Sequence, residues 1–256
     1  MKINTKIITY FLGFLLLING GFMFLSALLS YIYKDGITGD LILSGTIVSI
    51  IGLLMLFLNK NHDKQINKRE GYLVVVLGWV IMIFSGTIPY LLTGTIEGFP
   101  NIFFETTSGY TATGATIIND VEILPQGILF WRSITHWLGG MGMIVFAIAI
   151  LPLLGIGGMQ LFRSEGMEVE KVVPKSTEIA LSITKIYIVI TLACALAYWL
   201  SGMSVFDAIN HSLTTVSTGG YSTYSQSIGH FNNVKIEITA IMDDETISSV
   251  LPKHFG

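Results

Sequence analysis

An all-α integral membrane fold is what this sequence predicts, and three observations carry the prediction. Only 12% of the 256 residues are charged while 52% are hydrophobic, against roughly 25% charged in soluble domains. Several apolar runs approach or exceed the roughly 20 residues a helix needs to cross the bilayer core. Between those runs lie two hydroxyl-rich, glycine-bearing stretches, "TSGYTATGAT" at 107–116 and "TTVSTGGYST" at 214–223. A net charge of −3 gives no basis for nucleic-acid binding.

Taken in order, the first span runs from Ile7 to Tyr33 and the second from Leu41 to Leu58. The first run is too long for a cleavable signal peptide and has no small-residue cleavage site behind it. The third span covers Tyr72 to Leu92, the fourth Gly127 to Leu154, and the fifth Ile179 to Leu200. Two apolar pieces, Phe99–Phe104 and Val205–Ile209, are too short to span, and each sits just ahead of one glycine stretch. The single cysteine, Cys194, lies within the fifth span, where packing is its expected role.

Orientation follows from Lys and Arg placement. Lys2 and Lys6, then Lys60, Lys64, Lys68 and Arg69, then Arg163, Lys171 and Lys175 all fall on one side of five spans. That side is expected to be cytoplasmic. The other side carries Glu97, Glu105, Asp120, Glu122 and Asp207, read as an acidic vestibule, with Lys34 as its basic exception.

Laying Gly114 over Gly219, an offset of 105 residues, sets "YTATGAT" on "TVSTGGY". Each unit then reads as a membrane helix, a short half helix and a glycine loop, closed in the first unit by another membrane helix. Irregular backbone at membrane depth is tolerated only where protein buries it or water lines it. A half helix ends in unpaired carbonyls with a partial negative charge. Such carbonyls can replace a cation's hydration shell. Glycine is expected there because the backbone must adopt conformations that a Cβ obstructs. The candidate carbonyl donors are Thr111, Ala112, Thr113 and Gly114, with Val216, Ser217, Thr218 and Gly219. The bland alternative for both stretches is an ordinary connecting turn.

Arg132 and His136 lie one turn apart on the fourth span. Either they face a permeation path, or Arg132 sits near the outer end, snorkelling or paired with Asp120 or Glu122. Glu105 either attracts cations or braces its half helix, and His211 is expected to pack or hydrogen-bond. The strings "HWLGGMGM" and "LLGIGGMQ" are expected to permit close helix contact rather than to act as hinges. No metal-ligand cluster, nucleotide loop or nucleophile–base pair is present in the sequence. A membrane-embedded enzyme using His136 or His211 would need acids in register beside them, and none is found.

Three strings resemble the Trk/Ktr/HKT superfamily of potassium transporters, in its TrkH-like branch: "FFETTSGYTATGATIIND", "FWRSITHWLGGMGMIVFAIAILPLLGIGGMQLFR" and "FDAINHSLTTVSTGGYST". The two helices ahead of the first repeat favour that branch. The resemblance implies four repeats around a pseudo-fourfold pore, with potassium held at the eight loop residues named above. It implies glycine, here Gly114 and Gly219, at the potassium-selective position. It also implies a homodimer in the bacterial inner membrane, N-terminus cytoplasmic, contacting lipid. A cytoplasmic TrkA-type ring would bind the nucleotide, so no cofactor belongs to this chain, and transport would be channel-like or a proton-coupled symport. The family's pore-lining arginine belongs to a later repeat, so Arg132 does not inherit that role.

The expected domain plan is two N-terminal helices and a basic loop at 1–70, a first pore repeat at 71–160, and an incomplete second repeat at 161–242. A helix closing the second repeat is expected near Val234. Instead "VKIEITAIM" runs into "DDETISSVLPKHFG", and acids cost a few kcal/mol each at the bilayer centre. Residues 243–256 are thus expected to be a tail foreign to the family, on a truncated or frameshifted chain. The alternatives to a potassium-uptake subunit are a non-conducting remnant of one and a sodium-permeable cation transporter. The topology is tested with Cys194 changed to alanine and single cysteines at Asn61 and Ser164. Both are expected to resist an impermeant thiol reagent added outside intact cells, and strong labelling of either reverses the orientation.

Overall fold

The computed structural model of the protein describes residues 3–60, 68–154 and 172–241. Its helices are α1 (Thr5–Tyr33), α2 (Thr38–Leu58), α3 (Lys68–Gly86), α4 (Ile88–Thr93), α5 (Phe99–Tyr110), α6 (Gln126–Leu154), α7 (Val172–Leu200) and α8 (Val205–Val216), with a 3₁₀ turn at Ser227–Phe231. Residues 234–241 are helical too, beginning where the closing helix was expected. No strand occurs among the described residues, so the protein is all-α. Lys2, Lys64, Arg163, Lys171, most of "LLGIGGMQ" and the 243–256 tail lie outside the described residues.

Four segments among the described residues are long and apolar enough to cross a membrane: Thr5–Tyr33, Thr38–Leu58, Arg69–Thr93 and Leu181–Leu200. Their outer faces carry exposed Phe14, Leu54, Phe57, Val189 and Leu192, side chains that lipid can solvate. The expected fourth span is α6, whose 29 residues extend about 43 Å at 1.5 Å each.

The third span is not one continuous helix. It breaks at Thr87 between α3 and α4. Pro89 lacks an amide hydrogen, and its ring crowds the carbonyl four residues back. Beside the break, the carbonyl of Gly86 accepts the indole N–H of Trp131 at 3.3 Å, so α6 ties to the chain where the helix is interrupted.

The half helices run further than their apolar residues foretell. Each has 12 residues and continues through the threonines and serines that follow. Their hydroxyls bond back to their own helix: Thr106 to the Ile102 carbonyl and Thr107 to that of Phe103, both at 2.7 Å. Ser212 reaches the Ile209 carbonyl at 2.8 Å. Polar side chains satisfied in this way neither end the helix nor need water. Ser204 caps α8, accepting from the Asp207 N–H at 3.1 Å and donating to the Asp207 carboxylate at 2.6 Å.

α1 and α2 pack as an antiparallel pair through small residues. A Cβ at Gly52 would sit 2.8 Å from the Gly13 carbonyl oxygen, and one at Gly13 equally close to that of Gly52. On its other face α1 buries Asn19, whose amide donates to Ser85 at 2.8 Å and accepts from the Tyr110 hydroxyl at 2.6 Å. The N-terminal pair thereby holds the end of α5. The backbone N–H of Asn4 donates to Glu70 at 2.8 Å, which puts the N-terminus and the start of α3 at one end of the bundle. Cys194 packs with Tyr187, Tyr198, Met203 and Ile236 in a core cluster around α7 and α8.

Because the α1–α2 approach leaves no room, Gly52→Leu is expected to destabilise the protein by about 1–3 kcal/mol, read as a lowered melting temperature in detergent. Gly21→Leu, where nothing lies within 4 Å, should leave it unchanged.

Candidate functional site

The two glycine loops are copies in backbone geometry, at an offset of 106 residues rather than 105. α5 and α8 begin and end 106 apart. Ala112 donates to Gly109 and Thr113 to Ser108, as Thr218 does to Thr215 and Gly219 to Thr214. Ala112 (φ 50) matches Thr218 (φ 55), and Gly114 (φ 78) matches Gly220 (φ 82). Matching letters laid Gly114 on the first glycine of "TGG", but the second is the one in the left-handed region that disfavours a Cβ. Val216, expected in the loop, is instead the last residue of α8 and corresponds to Tyr110.

The remaining candidates all lie beyond the half-helix ends. Among the described residues no hydrogen bond ends on the carbonyls of Thr111, Ala112, Thr113 or Gly114, and the Ser217 carbonyl accepts only the hydroxyl of its neighbour Thr218. Thr111, Thr113, Thr218 and Gly220 are exposed. The loops touch, since a Cβ on Gly114 would overlap the carbonyl oxygen of Gly219. The structure therefore brings together two short strands of free carbonyls, each at the negative end of a half helix.

Behind them lies a buried ion pair. Arg132, on α6, is 1% exposed, and its guanidinium is 3.0 Å from the Glu105 carboxylate of α5. This corrects the expected partners: Asp120 and Glu122 are exposed in the connecting loop. Glu105 also accepts from the Thr116 hydroxyl at 2.9 Å and the Ile117 N–H at 3.1 Å. It braces the first loop and does not line a vestibule. Asp207, also expected in the vestibule, is buried too, accepting from Thr223 at 2.7 Å and from Ser204.

The same guanidinium reaches the second loop. It donates to the Ser222 carbonyl at 3.3 Å and lies 4.1 Å from the centre of the Tyr221 ring. The Tyr221 hydroxyl, in turn, lies 3.0 Å from the Glu105 carbonyl oxygen and 3.3 Å from that of Ala115. His211 is a hydrogen-bonding residue as expected, 2.8 Å from both the Asp207 carbonyl and the Ser222 hydroxyl. In the 106 register His211 corresponds to Glu105, and Ser222 to Thr116. Each half helix thus sends one buried side chain to a hydroxyl eleven residues on. Tyr221, Thr116, Ser222 and Gly220 were not singled out from the sequence, although that shared spacing of eleven marks two of them.

α6 passes between the half-helix ends. A Cβ at Gly139 would overlap the Tyr110 carbonyl, and one at Gly140 would meet Ser217 at 2.8 Å. Here "HWLGGMGM" serves close contact, as expected. In the connecting loops, the Ser225 hydroxyl and then its N–H hold the Glu122 carboxyl down at about 2, tying the first connecting loop to the second. A pocket of about 420 Å³ lies beside this tie, between Tyr33, Glu122, Gln126, Phe206 and Tyr224.

The TrkH family model, described as a cation transport protein, matches residues 40–243. The Trk system potassium uptake protein TrkH of Vibrio parahaemolyticus is 40% identical over 238 residues, 90% of this chain and 48% of that protein. Its namesake in Escherichia coli K12 is 39% identical over 239 residues, 90% and 49%. The crystal structure of the potassium transporter TrkH from Vibrio parahaemolyticus superposes with a TM-score of 0.83 at 36% identity, over 95% of this chain and 49% of that one. The chain spans about half the length of the curated relatives it matches.

Removing one partner of a buried pair strands the other charge. Arg132→Met is therefore expected to cost about 3–5 kcal/mol of stability, measured by denaturant titration in detergent. Restoring charge balance with Arg132→Met/Glu105→Gln should recover part of that loss, and a double variant no better than the single one contradicts the pairing.

Proposed function

This chain belongs to the TrkH family of cation transport proteins, and from that membership we propose that it contributes two carbonyl-lined loops to the selectivity filter of a potassium-uptake pathway. The family is one of membrane transporters and not of enzymes, and the chain is a multi-pass member of it. The observation that carries the proposal is the pair of loops repeated at 106 residues, each with free carbonyls beyond a half helix. A potassium ion carries a loose hydration shell that such carbonyls can replace. No side chain of the chain need change its charge for this to happen.

In this reading the ion meets Thr111, Ala112, Thr113 and Gly114 from the first loop. From the second it meets Ser217, Thr218 and Gly219, with Gly220 added by the observed register and Val216 at the helix end behind them. Residues 71–160 and 161–242 form the two repeats, following the two N-terminal helices. The sequence rests in the bacterial inner membrane with its N-terminus cytoplasmic, as the Lys and Arg distribution argues. Its partners are a second copy and a TrkA-type cytoplasmic ring that holds the nucleotide, and potassium is cargo rather than cofactor. Glycine at both 114 and 220 favours potassium over sodium, because a side chain there would narrow the cage.

The test uses a four-repeat chain whose first half is this sequence, expressed in a strain deficient in potassium uptake. Gly114→Ser places a side chain at φ 78 and against the Gly219 carbonyl. The potassium-over-sodium preference, read from rubidium and sodium flux, is expected to fall about tenfold, equivalent to about 1.4 kcal/mol. Gly220→Ser should act in the same direction. Unchanged preference in both variants would mean that the loops are connecting turns.

A further inference from the structure

We propose that His136 is a positioning residue for cation selectivity, its ring fixing where the Gly219 carbonyl stands; this deepens the filter reading and rests on it. His136 is fully buried on α6. Its ring stacks on Tyr221, centre to centre at 3.8 Å and 13° from parallel. Neither ring nitrogen has a hydrogen-bond partner among the described residues. Shape, and not a hydrogen-bond network, therefore sets the place of this ring. That is unusual for a buried polar side chain, since buried polar groups are normally paired.

The ring's other neighbour is Gly219. A Cβ there would overlap the imidazole, its Nδ1 first. Gly219 differs from the other two loop glycines in what forbids a side chain. Gly114 and Gly220 have left-handed backbones, whereas Gly219 has no positive φ. Around Gly220 there is open space. So the His136 ring is the first thing a side chain at 219 would meet. The carbonyl of this same Gly219 faces Gly114 of the first loop. The contacts run in one line: the imidazole sets the Gly219 backbone, and the Gly219 carbonyl sets the separation of the two loops. The placement of the carbonyls sets both the size of such a cage and the field a cation meets in it, so a change in ring volume at 136 moves selectivity without touching the ion.

The experiment is a size swap in the four-repeat chain carrying this sequence, reconstituted in liposomes. Rubidium and sodium flux give the cation preference, and melting temperature is read in parallel. His136→Ala removes the wall and is expected to lower the potassium-over-sodium preference about tenfold. His136→Phe keeps a ring of similar size against Tyr221 and Gly219, and should hold the preference near its original value. Gly219→Ala drives a methyl into the imidazole and should lower the preference. Combining it with His136→Ala makes room for that methyl, so the double variant should recover preference beyond Gly219→Ala.

A solely structural role would lower melting temperature and leave the flux ratio of the surviving protein untouched, which overturns the proposal. If His136→Ala leaves the ratio unchanged while Gly114→Ser shifts it, the role of His136 falls and the filter reading stands. If neither shifts it, the filter reading itself falls. Should His136→Ala fail to fold, the Gly219→Ala and double variants decide, and a double variant no better than Gly219→Ala overturns the link.

Discussion

Two opposite charges cannot be stranded inside a protein, and the contact between buried Arg132 and Glu105 is where this molecule meets that constraint. With little water to screen them, each must be satisfied by the other and by neighbouring hydrogen-bonding groups. Glu105 brings the far end of the first loop, through Thr116 and Ile117. Arg132 brings α6 and reaches on to the Ser222 carbonyl and the Tyr221 ring. Satisfying one ion pair thus sets the relative position of a half helix, a membrane helix and two loops. Pairs like this add little net stability over an apolar replacement but cost much to break, so once made this one holds together segments with few contacts of their own.

The remaining architecture supplies what this pair cannot. Loop carbonyls can stay free of internal partners only if the half helices are held from behind. α1 does this for α5 through the Asn19–Tyr110 contact, and itself stands firm because α2 packs on it at backbone distance. α6 offers two adjacent glycines, so the ends of both half helices lie directly on its backbone. Van der Waals packing and hydrogen bonds carry these contacts, as expected where lipid removes any hydrophobic advantage of one apolar face over another. The left-handed residues Ala112 and Thr218 are the local cost of turning each chain out of its helix, and their occurrence at matched positions marks the turn as a feature of the repeat.

Much of this was legible in residue order. Apolar runs located the long helices, because lipid imposes a length and a composition on any segment that crosses it. Two half helices were recognisable by being apolar and too short. Their true length was not, because the threonines and serines that extend them look like loop residues until their hydroxyls are seen bonded to their own helix. The break at Thr87 was hidden similarly: a proline inside an apolar run is compatible with a continuous span, and the Gly86 carbonyl beside the break finds its donor in Trp131 from a distant helix.

The sequence by itself determined the membrane class, the order of spans, the paired loops and the TrkH resemblance, since each depends on composition and pattern along the chain. Tertiary structure decided three things that depend on proximity across it. Arg132 pairs with Glu105, 27 residues back, and not with the nearer acids Asp120 and Glu122, because only Glu105 is buried on the facing helix. The repeat runs at 106 residues because hydrogen-bond geometry, and not letter identity, aligns the loops. Three glycines that read alike separate into two demanded by backbone conformation and one, Gly219, demanded by a ring packed against it. Neither a dihedral angle nor a neighbour from another helix is written in local sequence, and both arise only when α6 is laid between the half helices.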